Sequence, residues 1–299
     1  MTVLRKLKKR LFNPVFRQMR HLWQNCLGTY YRLHKPVYGL NTTEKRDKKI
    51  IISLTSFPAR FSSLHICIKT LLMQTVKPDM VILYLGKDCD GCTLPQSLLA
   101  LKEYGLTIKT GYEDIRPHKK YVYAMQEYPE DIVITADDDL LYAPDMVQSL
   151  MNSYRSYPHA VSARRVHLIT GTEKGLQPYN EWLFTYKGCT EPSMSLFSTN
   201  GAGSLFPPHI FPAEAFNIEK IKSLCLNADD VWIKFMLIKN NVPVVWVPSN
   251  CSMPFAVPTS QKETLSSRNT LLSHNDAYIA AMQAAYHISL AEYCVRQSR

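Results

Sequence analysis

Glycine is scarce where cofactor loops would need it. The chain holds 11 glycines in 299 residues, with no GxGxxG and no GxxxxGK(S/T) pattern, so neither a dinucleotide cofactor nor a P-loop NTPase is indicated. No apolar run approaches the roughly 20 residues of a bilayer span, so the protein is not expected to cross a membrane on its own. The eight cysteines are scattered, and Cys89-x-x-Cys92 is the only CxxC. A structural zinc site needs a second pair of ligands, so this one reads as a turn with two free thiols. No secretory signal precedes the cysteines, which makes the cytoplasmic, reducing side of a membrane the expected location. Excess positive charge is absent from most of the chain. Residues 1–49 hold 13 Lys or Arg against Glu44 and Asp47, whereas the remaining residues hold 22 basic against 23 acidic. The near-neutral body offers no extended basic surface to track phosphates, so no nucleic-acid partner is expected.

The basic surplus belongs to an amphipathic segment. Leu4, Leu7, Leu11, Val15, Met19, Leu22 and Trp23 recur at helical spacing, while Arg5, Lys6, Lys8, Lys9, Arg10, Arg17 and Arg20 fill the other face. Asn13-Pro14 is expected to break this helix in two. Residues 1–27 have the composition of an interfacial helix on anionic lipid, each surface-apposed Lys or Arg contributing about 1 kcal/mol. The alternative is a helix packed on the protein's own body. Tyr30 to Lys49 reads as a linker, which sets residues 1–49 apart from an α/β domain at 50–258. Residues 259–299 read as a polar, mobile loop and a C-terminal helix.

From Lys49 onward apolar runs alternate with helical periodicity. Strands are expected near residues 50–55, 80–85, 106–109 and 131–136, with helices after each of the first three and from Pro144 to Tyr157. Such alternation implies βαβ units and a mostly parallel sheet flanked by helices. Ala160 to Ile169 reads as a strand carrying Arg164, Arg165 and His167. The segment 171–195, with Tyr179, Trp182, Phe184 and Tyr186, is either a packed insertion or a platform for sugar rings. A helix opens at Asn227-Ala228-Asp229-Asp230-Val231-Trp232, a strand covers Pro243 to Val247, and Asn275-Asp276 caps a final helix running past Ala291.

The fourth strand ends in Ala136-Asp137-Asp138-Asp139 just before Ala143-Pro144. Alternation along a strand would point Asp137 and Asp139 one way and Asp138 the other. In open α/β sheets ligands bind at the carboxyl ends of strands, and paired carboxylates there suit Mg²⁺ or Mn²⁺ with a diphosphate completing the shell. An acidic turn that merely caps the next helix is the alternative, although capping uses one acid rather than three.

Together, Thr55-Ser56-Phe57-Pro58-x-Arg60, Lys119-Lys120-Tyr121, Asp137-Asp138-Asp139, Gly201-x-Gly203 with Pro207-Pro208, and Asp229-Asp230-x-Trp232 resemble a bacterial glycosyltransferase of the GT-A fold. The order of these motifs is similar to the family-2 enzymes that build surface polysaccharides, over residues 50 to 255. The resemblance implies a GT-A, Rossmann-like mixed sheet. It places Thr55, Phe57 and Arg60 at the nucleotide together with Lys119, Lys120 and Asp138, and Asp137 near the ribose. Asp139, with Asp137, would ligate Mn²⁺ or Mg²⁺, and His274 is a candidate further ligand. Asp230 corresponds to the catalytic base, with Asp229 in place of the usual Glu. Trp182, Gly201, Gly203 and Trp232 would lie on the acceptor side.

The implied partners are a nucleotide-sugar donor, expected to be UDP-linked, and a lipid-linked or glycan acceptor at the inner face of the cell membrane. The chemistry agrees: transfer must stabilise charge on a departing diphosphate and deprotonate an acceptor hydroxyl, and the chain has one acid cluster for each. A nucleotidyltransferase would normally carry a Gly- and Lys/Arg-rich loop after the first strand, which is missing. A non-catalytic membrane-surface protein would leave both acid clusters unexplained.

Overall fold

The computed structural model describes residues 2–249, 254–258 and 274–296, with backbone alone for residues 2–17. The basic and apolar side chains expected on the first half of the N-terminal helix, and the polar segment 260–273, lie outside the described residues.

A first strand, β1 (Ile50–Thr55), forms because Ile50, Ile51, Ile52 and Leu54 are buried on both faces of a sheet. Continuous β-branched runs of this kind mark central parallel strands. After it come a 3-10 turn at Pro58–Arg60, α2 (Phe61–Leu72), β2 (Met80–Gly86), α3 (Gln96–Leu99), β3 (Leu106–Tyr112), α4 (Lys119–Glu127) and β4 (Ile132–Ala136). The N-terminal helix before them is α1 (Thr2–Leu33). The chain continues through β5 (Leu140–Leu141), α5 (Met146–Ser156), β6 (Val161–Ala163), β7 (Val166–Leu168), β8 (Thr170–Thr172), β9 (Gly175–Leu176), β10 (Leu196–Ser198) and β11 (Ser204–Phe206). Last come α6 (Ile218–Leu224), α7 (Asp229–Lys239), β12 (Val244–Trp246), β13 (Phe255–Ala256), α8 (His274–Tyr286) and β14 (Val295–Arg296).

Seven strands make the main sheet in the order β12-β6-β11-β4-β1-β2-β3. Only β11 runs antiparallel to its neighbours β4 and β6, so the sheet is mixed and mostly parallel, as expected. Alternate residues of β1 serve two cores. Ile51 packs with Tyr121, Val122, Trp232 and Phe235 on the α4 and α7 side, and Ile50, Ile52 and Leu54 pack with Leu64, Leu71, Val147 and Leu150 on the α2 and α5 side. Each such fully buried side chain contributes about 1.5–3 kcal/mol.

Three expectations are corrected and one strand is added. The helix α1 runs on through Asn13-Pro14 to Leu33. The stretch Ala160 to Ile169 is two strands, because β6 joins the main sheet and β7 pairs with β10, with the chain turning at Arg164-Arg165. Ser204–Phe206, for which the sequence shows no strand pattern, is a central strand, entered from Gly203 at φ +101° and ended by Pro207. The C-terminal helix stops at Tyr286, where His287 takes a left-handed φ of 53°.

The expected linker after α1 is irregular but pinned. Gly39 N donates to Tyr104 O, Asn41 N donates to Pro78 O, and Arg46 pairs with Asp79 at 2.9 Å. Cys89 is buried and Cys92 exposed, both as free thiols.

Candidate active site

The ladder between β1 and β4 ends at Leu54 opposite Ala136, so Asp137, Asp138 and Asp139 leave the sheet as a turn at its carboxyl edge. Strand alternation therefore ceases to orient them. Asp137 turns to Lys120, whose Nζ lies 2.9 Å from its Oδ1. Asp138 and Asp139 instead share Arg60, at 3.1 and 2.7 Å from Nη1. Ser56 Oγ donates to Asp138 Oδ2 at 2.6 Å. Asp137 retains the most open side chain of the three, 37% exposed against 12% and 14%.

The backbone of this turn is fixed from two directions. Asp137 N donates to Tyr142 Oη at 2.6 Å and also faces Gly201 O at 3.2 Å, while Tyr142 Oη donates to Gly201 O. Gly201 lies so close that a Cβ there would fall 1.6 Å from Asp137 Oδ2. A glycine at 201 is thus a steric condition for the Asp137 carboxylate.

The second acid pair stands in the first turn of α7, where helix amides favour negative charge. Asp229 Oδ2 lies 2.9 Å from the same Lys120 Nζ that meets Asp137. Asp230 Oδ1 accepts from both the backbone N and the Nδ2 of Asn200 at 2.8 Å, and its Oδ2 makes no hydrogen bond among the described residues. Lys120 is placed in the first turn of α4, a position that its helix dipole disfavours, and its pairing with acids from two other elements compensates.

Burial and charge divide four of these carboxyls. Burial pushes Asp230 up to about 7, reinforced by Asp229 and opposed by Lys120 and the Asn200 hydrogen bond. Burial likewise raises Asp138 to about 7 against the pull of Arg60 and Ser56. Burial and the Asp137 charge raise Asp139, with Arg60 opposing. Burial also opposes ionisation of Asp137, but Lys120 prevails and holds it below the ordinary carboxylate value. Lys120 is raised in turn: burial works against its charge, and Asp137, Asp229 and Asp230 outweigh it.

Arg165, which was not singled out as a site residue from the sequence, adds a third cation that acts on Asp137 and Asp139. Its Nε donates to Thr199 Oγ1, and it forms no ion pair among the described residues. Asn200 and Tyr142 were likewise missed, because an Asn beside a Gly in a loop reads as a turn and a Tyr after an acidic run reads as core.

The structure thus brings together Arg60, Lys120, Asp137, Asp138, Asp139, Gly201, Asp229 and Asp230. Phe57 lies beside them, 41% exposed, with the Arg60 guanidinium 5.5 Å from its ring centroid. The remaining expected site residues have other partners. Thr55 Oγ1 ties β1 to β2 through Tyr84 O, and Lys119 pairs with Asp114. Gly203 abuts Met146. Trp232 is wholly buried with its Nε1 on Ala215 O, and Trp182 packs against Tyr179 and Phe197. His274 is exposed at the start of α8.

The donor set suits a hard divalent cation in kind. Carboxylate oxygens of Asp137 and Asp139 face a cluster with more acids than cations, and Mg²⁺ or Mn²⁺ needs only one or two protein carboxylates beside water and phosphate. Among the described residues no three His, Cys, Asp or Glu side chains are arranged around a common point. A cation at Asp139 would have to displace or share Arg60.

No family model matches the chain, and no curated protein matches it in sequence. Among solved structures it is similar to a CMP:2-keto-3-deoxy-manno-octonic acid synthetase complexed with CTP. That match has 12% identity and a TM-score of 0.43, over 77% of this chain and 100% of that one. It is also similar to the mannosyltransferase PcManGT from Pyrobaculum calidifontis in complex with GDP-Man and Mn²⁺, at 11% identity and a TM-score of 0.45, over 93% and 83% of the two chains.

Proposed function

We propose that this protein is a metal-dependent, inverting glycosyltransferase. It moves a sugar from a nucleotide-diphosphate sugar, UDP-linked, to a lipid-linked or oligosaccharide acceptor of surface polysaccharide. The observation that carries this reading is the double pairing of Lys120, which joins Asp137 at the end of β4 to Asp229 at the head of α7 and so makes one cluster of two acid groups.

Each side of that cluster has its own task. Phe57 and Arg60 line the nucleotide end. Arg165, free of an ion pair among the described residues, is available to meet the negative charge that grows on the departing diphosphate. Asp139 and Asp137 would hold Mn²⁺ or Mg²⁺, which neutralises diphosphate charge when bound. On the acceptor side, Asp230 is anchored through Oδ1 by Asn200 and leaves Oδ2 to take the proton of an attacking hydroxyl. A carboxyl raised to about 7 is matched to that transfer near neutral pH.

A panel of nucleotide sugars with Mn²⁺, and again with EDTA, tests the reading through release of nucleoside diphosphate. The expected result is release from one donor class, lost in EDTA. Pyrophosphate release from a nucleoside triphosphate plus a sugar phosphate would identify a nucleotidyltransferase instead, and no product in either assay would refute both.

A further inference from the structure

From residue 19 on, the outer face of α1 has no partner among the described residues. Leu22, Trp23 and Leu33 are 65%, 59% and 73% exposed, and with Met19, Cys26 and Tyr30 they recur three or four residues apart as one stripe, continued by Val37 and Tyr38. A soluble surface rarely leaves so many large apolar side chains contiguous.

The opposite face is fixed to the body. Tyr31 is buried, Gln24 Nε2 donates to Ala256 O at 2.9 Å, and Arg20 lies 5.4 Å from the Phe255 ring centroid. Gly28 admits Pro258, whose Cγ would stand 2.6 Å from a Cβ at that position. The last carbonyls of the helix region, Arg32 O and His34 O, accept from Lys69 Nζ. The strap that α1 grips then reaches the acid turn, since β13 pairs with β5 and Val257 N donates to Asp139 O at 2.7 Å.

We propose that this stripe, over residues 19–38, is a membrane-seating face: α1 lies in the interface of an anionic bilayer with its inner side clamped to the catalytic layer. Packing on the body and binding lipid are then not alternatives, because opposite faces do each. Charge selects the occupant. Residues 1–43 contain nine Lys or Arg and no Asp or Glu, which attracts an anionic lipid surface and opposes pairing with a second copy of the same helix. No helix among the described residues is long and apolar enough to cross a membrane, so the contact is peripheral. The proposal stands apart from the glycosyltransferase reading, because its test needs no activity.

The experiment mixes the full chain with phosphatidylcholine vesicles, with and without phosphatidylserine, at low and high salt. It follows co-sedimentation and Trp emission. Leu22→Gln, Trp23→Gln and Leu33→Gln combined form the variant, all at exposed positions. The expected result is binding to the phosphatidylserine vesicles that weakens with salt and blue-shifts the emission, falling tenfold or more in the variant at unchanged circular dichroism and melting temperature. Three results would overturn it: no binding by the wild type, equal binding by the variant, or a wild-type dimer in sedimentation equilibrium that the variant loses.

Discussion

The ammonium of Lys120 lies 2.9 Å from Asp137 Oδ1, and because it also meets Asp229 it is, among the described residues, the cation that ion-pairs with both acid groups of the site. Lys120→Met leaves those carboxylates facing each other without it. Removing one member of a buried pair costs about 3–5 kcal/mol, so the melting temperature should drop on the order of 10 °C. Protonation relieves the exposed repulsion, so the loss should shrink between pH 8 and pH 5. Thermal denaturation at the two pH values checks this, and an equal or larger loss at pH 5 speaks against the pairing.

Gly201→Ala tests the steric condition on Asp137. With a Cβ 1.6 Å from Oδ2 the carboxylate has to swing away. Overpacking of this kind costs about 1–3 kcal/mol. Affinity for the nucleoside diphosphate, measured by calorimetry with Mn²⁺, should fall tenfold or more. Unchanged affinity would remove Asp137 from the donor side.

Arg165→Ala removes the cation assigned to the diphosphate. Its side chain touches Thr199 and forms no ion pair among the described residues, so stability should change little while nucleoside-diphosphate affinity falls at least tenfold and nucleoside affinity holds. Equal losses for nucleoside and nucleoside diphosphate would mean that Arg165 only shapes the loop.

Asp230 gives a pH signature in two opposed senses. As a base it works when ionised, so kcat/KM should rise with pH through about 7. As a buried carboxyl raised above 3.8, it keeps in the fold a proton that the unfolded chain releases. Its stabilising contribution is complete below about pH 4 and is lost as pH rises towards 7. Asp138 acts in the same direction over the same window. Asp230→Asn should therefore abolish the acid limb of the rate profile and be at least as stable as wild type at pH 8, by paired rate and melting measurements.

Much of this was legible because β1, β2 and β4 are continuous apolar runs that admit no other reading, and because three acids at a strand end have no economical structural use. Other features were not legible for identifiable reasons. Ser204–Phe206 is too short between Gly203 and Pro207 to show a period, yet it is laid in the middle of the sheet by pairing on both edges. Lys119 and Lys120 are neighbours, and only the helix turn of about 100° per residue sends one to Asp114 and the other to Asp137. Trp182 lies in a segment with the composition of a sugar platform and Trp232 follows the second acid pair, and packing buries both in the core. Asn200 acts through its backbone N as much as its side chain, which sequence cannot display.

The division of labour between the two acid groups is tested most directly by comparing Asp139→Ala with Asp230→Asn in one assay of donor affinity, kcat and melting temperature. Asp139→Ala should abolish Mn²⁺-dependent donor binding and turnover while the protein stays folded. Asp230→Asn should lower kcat by about a hundredfold or more and leave donor affinity near wild type. A rate per folded molecule near wild type in Asp230→Asn, with only its stability reduced, would contradict the account.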